Sequence, residues 1–173
     1  MAKKIKFSLN EASIDNAIKE LEAYKRSVEE KTERLRIRVA EIIANDAQAG
    51  FNSSGVDDDL REGMRPAAVS VSYRDNGGVT IVLAEGTDAV WVEFGAGVHY
   101  NGPVGQSPNP LGRELGLTIG SYGKGHGARH VWGYKENGEL VLTHGTPATM
   151  PMYKAVQAVC NNIDEIAKEV FRT

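Results

Sequence analysis

The chain has a single cysteine, Cys160, among 173 residues, so an internal disulfide is excluded and nothing asks for an oxidising compartment. It has no apolar run near the ~20 residues that a bilayer-spanning helix needs, so no membrane partner is expected. The N-terminus, Lys3-Lys4-Ile5-Lys6-Phe7, is basic but lacks the apolar stretch of a secretory leader. Charge of one sign is also scarce: a net −3 argues against a dedicated nucleic-acid binder and leaves only local basic stripes to weigh. These absences describe a protein made and used in a cytoplasm. What is present is ordinary for a globular chain, with 41% hydrophobic and 25% charged residues in a length suited to one domain that buries its own core.

The residues are distributed unevenly. Fourteen of the nineteen glycines, and all four histidines, fall between Gly86 and Gly145. One domain over 1–173 is therefore expected in four zones: helical at 1–50, sheet and a short helix at 66–97, a glycine-rich insert at 98–146, and a C-terminal helix at 147–173.

Ile14, Leu21, Val28, Leu35 and Ile42 recur every seven residues, with Ile18 and Val39 on the same side, which predicts a helix over 13–49 with a narrow apolar seam. Asn10 or Ser13 suits its N-cap, Glu11 and Asp15 complement its dipole, and Gly50 suits its end. Glu22 with Arg26 and Glu30 with Arg34 stand at i, i+4 spacing. A continuous helix would run roughly 55 Å, too long for so small a domain to cover, and Leu21, Val28 and Leu35 then become candidate contacts with another copy. A break near Glu29 to Thr32, giving a helical hairpin within one subunit, is the other reading.

Val69, Val71 and Tyr73 alternate with polar residues, and Val79, Ile81 and Leu83 follow after Asp75-Asn76-Gly77-Gly78, which predicts a β-hairpin. The segment from Asn52 to Asp59 has loop composition. Asp88 is placed to cap a short helix through Phe94, ended by Gly95 and Gly97. Asn137-Gly138 predicts a second small hairpin between Val131–Tyr134 and Glu139–Leu142. Pro151 suits the first turn of a last helix whose Met152, Val156, Val159, Ile163, Ile166 and Val170 share a face, with Cys160 beside it as a core residue rather than a nucleophile.

Two phrases stand out: Val90-Trp91-Val92-Glu93-Phe94-Gly95-Ala96-Gly97, and Thr146-Pro147-Ala148-Thr149-Met150-Pro151-Met152-Tyr153. Between them lie Ile119 to Gly125, Val131 to Tyr134 and Leu140 to Gly145. With these, roughly residues 35 to 172 resemble the minor structural proteins of the head-tail junction of long-tailed bacteriophages, the neck, tail-completion and head-tail connector family. The resemblance implies an α+β fold: a long N-terminal helix, a small antiparallel sheet of hairpins, a Gly-rich insert, and a C-terminal helix packed on the sheet. It implies a virion protein with no catalysis and no cofactor. Copies would form a ring, six-fold around the tail, that meets portal-side and tail-tube proteins and lets DNA pass through its bore.

Chemistry-bearing candidates are few. His126 and His130 at i, i+4 would bind a divalent metal on a helix, but Gly125 and Gly127 oppose one there, and no His-Glu-x-x-His pattern supplies a general base. Gly120-Ser121-Tyr122-Gly123-Lys124-Gly125 lacks the Ser or Thr after lysine of a phosphate loop. Lys31, Arg34 and Arg38 form a basic stripe that faces either water or packaged DNA. The glycines beside Glu93-Phe94 allow Phe94 to bury against the sheet; alternatively Glu93 and Phe94 order a subunit contact. Trp132 and Tyr134 are the aromatic anchors expected to hold the insert, from His99 to His144, against a neighbour. Two rival functions stay open: a small metal-dependent hydrolase using the His-rich insert, and a nucleic-acid-binding accessory protein using the basic stripe.

Overall fold

The computed structural model describes Ile5 and residues 7–96, 107–115 and 131–172. The heptad seam becomes one unbroken helix, α1, over Glu11–Asn52. Asn10 caps it by accepting the Ser13 N–H at 2.9 Å, satisfying a donor that the first helical turn leaves free. No break occurs near Glu29 to Thr32, where the Thr32 hydroxyl bonds back to the Val28 carbonyl at 2.8 Å. Gly50 does not end the helix, which continues to Asn52. The glycine serves close approach instead: a Cβ there would stand 2.8 Å from Pro151 Cβ. Ion pairs along α1 include Lys25 with Glu29 and Arg38 with Glu41.

After α1 the segment read as loop forms a short ladder, β1 (Gly55–Val56) against β2 (Arg65–Pro66). The first expected hairpin follows as β3 (Ser70–Asp75) and β4 (Thr80–Glu85), antiparallel, with Val71 opposite Ala84 and Tyr73 opposite Val82. The register sets which residues face inward. Val71 and Ala84 pack against the core, while Val79 and Ile81 are 63% and 50% exposed. Helix α1 lies across the inner face of this hairpin. Gln48 accepts the Val71 N–H at 2.7 Å and donates to the Val69 carbonyl at 3.1 Å. At the turn end Arg36 donates to Thr80 and pairs with Asp75 at 2.9 Å.

Helix α2 (Ala89–Phe94) is followed, among the described residues, by α3 (Pro110–Glu114) and by a second hairpin of β5 (Trp132–Glu136) and β6 (Glu139–Thr143). Asn137 and Gly138 both take positive φ, 51° and 88°, as the two-residue turn requires. Helix α4 (Pro151–Arg172) is the last described element. Its first turn reaches the sheet, where Met152 joins Val69, Val71 and Ala84 around buried Phe51, Val56 and Val92.

Most of α4 lies antiparallel along α1, from Pro151 beside Gly50 to the Phe171 carbonyl, which accepts from Lys31 Nζ at 3.1 Å. Ala40, Ala44 and Ala47 of α1, and Ala155 and Val159 of α4, are buried, and small side chains of this kind let two helices approach closely. The seam residues Leu35, Val39 and Ile42 are half-buried within the stretch that α4 spans. Beyond Lys31 there is nothing left of α4 to cover α1, so residues 11–30 project past the helical pair by roughly 30 Å at ~1.5 Å per residue. Ile18, Leu21 and Tyr24 on this overhang are 48%, 55% and 53% exposed.

Candidate interaction surface

The two sequence phrases that carry the resemblance meet in space. Ala96 and Thr146 exchange both backbone hydrogen bonds, at 2.8 and 2.9 Å, so the insert leaves and returns through one paired point. The Val92 carbonyl accepts the N–H groups of Thr149 and Met150 at 3.0 and 3.3 Å. Glu93 completes the junction. Its Oε2 accepts the Met152 N–H and its Oε1 the Tyr153 N–H, both at 2.9 Å, while Asn109 donates to Oε1 at 2.8 Å.

This arrangement is a helix cap supplied from a distant segment. Met150, whose carbonyl accepts the Lys154 N–H, occupies the N-cap position of α4 with φ 57° and offers no acceptor side chain. Pro151 at the next position has no N–H, so the first free donors are Met152 and Tyr153. A carboxylate there satisfies both and faces the positive end of the helix dipole. Glu93 is only 7% exposed, a burial that a carboxylate tolerates when its oxygens are hydrogen-bonded.

The expected contact residues fall in different settings. Leu21 is exposed on the overhang, Val28 is half-buried at its root, and Leu35 is half-buried within the span of α4. Glu93 turns inward to α4. Phe94 is half-buried, and it is Val92, fully buried, that enters the core, because the six-residue α2 can direct only one side to the sheet. The Phe94 carbonyl accepts from Ser107 at 2.7 Å. Tyr134 is half-buried with its hydroxyl 3.3 Å from the Asp58 carbonyl, and loss of water around the ring pushes its phenol up. Trp132 lies in β5, with its side chain outside the description.

A polar cluster binds the second hairpin to the ladder after α1. Arg65 donates to Asp58 at 2.8 Å and to Asp88 at 2.6 Å, and the Asp88 carboxylate also accepts the Ala68 N–H at 2.7 Å. Asp88 therefore stands at the N-cap position of α2 without capping it by its side chain. Its hydrogen bond from Arg65 holds its carboxyl below the usual range. Next to it the Thr143 hydroxyl donates to the Asp57 carbonyl, and His144 Nδ1 lies 2.8 Å from Asp57 Oδ2.

Of the chemical candidates, His99, His126, His130 and the Gly120–Gly125 segment lie outside the described residues. Among the described residues no group of three His, Cys, Asp or Glu side chains comes together as a metal site, and no helix is long and apolar enough to cross a membrane. Cys160 is exposed rather than in the core, because the α4 face turned to α1 is the one carrying Ala155 and Val159. The basic stripe is divided: Lys31 binds the Phe171 carbonyl and Arg38 pairs with Glu41 at 2.8 Å.

The described residues thus define an α+β protein whose α1 overhang exposes Ile18, Leu21 and Tyr24. Comparison with family models, curated proteins and solved structures finds no match.

Proposed function

We propose that this chain is a structural virion protein of the head-tail junction of a tailed bacteriophage or prophage, working by assembly rather than by catalysis. The observation that carries the proposal is the joining of the two phrases behind the resemblance. Glu93 of one caps the helix that the other begins, at 2.9 Å to both Met152 and Tyr153 N–H groups. Residues that far apart in sequence then act as one device, which gives a physical reason for the pattern to occur as a pair. The apolar overhang of α1 supports the same proposal, since a chain that functions alone gains nothing from exposing Ile14, Ile18 and Leu21. Copies arranged as a ring, meeting portal-side proteins on one side and tail-tube proteins on the other, would cover it.

The test is genetic. Interrupting the gene in the phage or prophage that carries it is expected to give DNA-filled heads and separate tails in electron micrographs, with joining restored when the intact chain is supplied in trans. Normal yields of infectious particles without the gene would overturn the proposal.

A further inference from the structure

The two strands of the first hairpin differ in what meets their outer edges. Gln48 accepts the Val71 N–H and donates to the Val69 carbonyl, so the backbone of Val71 points away from β4. The turn agrees in phase, since the Asn76 N–H reaches the Val79 carbonyl at 3.0 Å. Val71 with Ala84, Tyr73 with Val82 and Asp75 with Thr80 are therefore the pairs that exchange no hydrogen bonds. On β4 the N–H and C=O groups of Thr80, Val82 and Ala84 consequently all point outward. Among the described residues no group bonds to any of them.

The other long strands have blunted edges. β3 is closed by Gln48 at one end and carries Arg74 and Asp75 at the other. On β6 the Leu142 carbonyl accepts the Leu60 N–H at 2.8 Å, and β5 holds Gly133 and ends in Lys135 and Glu136. A covering group, charge and glycine each keep a strand edge from templating a new pair. β4 has none of these over Thr80-Ile81-Val82-Leu83-Ala84, a run without charge, proline or glycine that begins with three β-branched residues. Ile81 on its outer face is 50% exposed. Among the described strands, the edge left open to meet β4 is thus β4 itself, on a second copy.

We propose that two copies of the chain pair antiparallel through β4, making one sheet in the order β3-β4-β4-β3. Only Thr80, Val82 and Ala84 present outward groups, so the register must set these residues opposite one another. Centring on Val82 uses all of them: Thr80 faces the partner's Ala84, Val82 faces the partner's Val82, and each of these pairs exchanges two N–H···O=C bonds. A shift of two residues sets one outward residue of each copy against Gly78 or Gly86, outside the strand. Side chains fit the same register. Ile81 of each copy lies against the partner's Leu83 on the outer face, which covers the exposed isoleucine. Charge does not oppose the pairing, because the two Glu85 side chains stand about 20 Å apart at ~3.4 Å per residue, each opposite Val79. The two-fold axis is perpendicular to the sheet, so both inner faces stay on one side. A two-stranded hairpin is about 10 Å wide and a helix about 10 Å across, which leaves each α1 its own hairpin to lie on. The contact goes beyond the function proposed above and stands without it: pairing is read in solution and the joining of heads to tails in the phage, so either can fail alone.

Hydrogen exchange of the full chain, followed amide by amide in NMR spectra at low and at about millimolar concentration, tests the contact. The Thr80, Val82 and Ala84 amides are expected to exchange about threefold or more slowly in the concentrated sample, while those of Ile81, Leu83 and Glu85, already bonded to β3, stay unchanged. Sedimentation under reducing conditions should show the mass rising from one chain to two over the same range. Ile81→Lys, at a half-exposed position, is expected to weaken pairing by about tenfold or more and to leave the circular dichroism of the single chain unchanged. Leu21→Glu should leave pairing as it is. A chain that stays monomeric at about millimolar concentration overturns the proposal, and so does a dimer in which Thr80, Val82 and Ala84 gain no protection. A dimer lost in Leu21→Glu and kept in Ile81→Lys would place the contact on the α1 overhang and overturn it equally.

Discussion

Glu93 and Met152 are joined across fifty-nine positions of sequence by a carboxylate that accepts a backbone N–H at 2.9 Å, and the same carboxylate takes the Tyr153 N–H and the Asn109 amide. The cap of α4 thus also ties α2 to Asn109, just ahead of α3. Glu93→Ala removes an acceptor from two half-buried helix donors and a buried amide, and is expected to cost about 2 kcal/mol, with Glu93→Gln costing about 1. Urea unfolding followed by circular dichroism measures both. An alanine variant within about 0.5 kcal/mol of the parent would show that water replaces the carboxylate and that the cap is not structural.

Gly50→Ala sets two effects against each other. Alanine favours an α-helix over glycine by about 1 kcal/mol. The new Cβ would stand 2.8 Å from Cβ of the buried, rigid Pro151 ring, which cannot move without shifting the α1–α4 contact. Overpacking of this kind costs about 1–3 kcal/mol, so net destabilisation of about 1 kcal/mol is expected in thermal unfolding. A raised midpoint would mean that the two helices separate freely at this crossing.

Acid should act through Asp88. Its folded-state carboxyl is held low, first by the hydrogen bond from Arg65, so its contribution is fully present above the unfolded pKa of about 3.9 and is lost as pH falls through the lower folded value. Asp88→Asn is expected to lower stability at neutral pH and to flatten the loss of stability below about pH 5. Arg65→Ala should cost about 2 kcal/mol, less than the ~3–5 of a fully buried pair because the Arg65 side chain is 40% exposed. Parallel pH profiles for parent and Asp88→Asn would exclude this carboxyl as the source.

Leu21→Glu tests the overhang without touching the core. Leu21 is 55% exposed, so unfolding of the single chain should change by no more than about 0.5 kcal/mol. In the phage, the same change should stop heads and tails from joining. A variant that assembles normally would leave the exposed stripe without a role in assembly.

The elements were legible because each rests on local chemistry. A seven-residue apolar repeat gave α1, Asn137-Gly138 gave the β5–β6 turn, and Pro151 gave the start of α4. What escaped was decided between distant segments. Asp88 has the composition of a cap and the position of one, yet Arg65 and the Ala68 N–H compete for its carboxylate and win. Gly50 looks like a helix end until Pro151 is placed beside it. Val79 and Ile81 alternate as an inner face would, but the pairing of Val71 with Ala84 turns them outward. For Glu93, the signal was the absence of any capping side chain at Met150, followed by a proline.

The packing of α4 on α1 also orders events in time. Gly50 and Pro151 touch across about one hundred residues of chain, a closure that costs about 4 kcal/mol of loop entropy before any contact offsets it. A ribosome takes on the order of 5–20 s to make that many residues. Throughout that interval α1 is complete but α4, which covers part of it, has yet to be made, and neighbouring nascent chains on one message present the same uncovered face. Asp15, Glu22 and Glu29 follow one another along one edge of that face, and their repulsion opposes premature antiparallel pairing of one growing chain with the next.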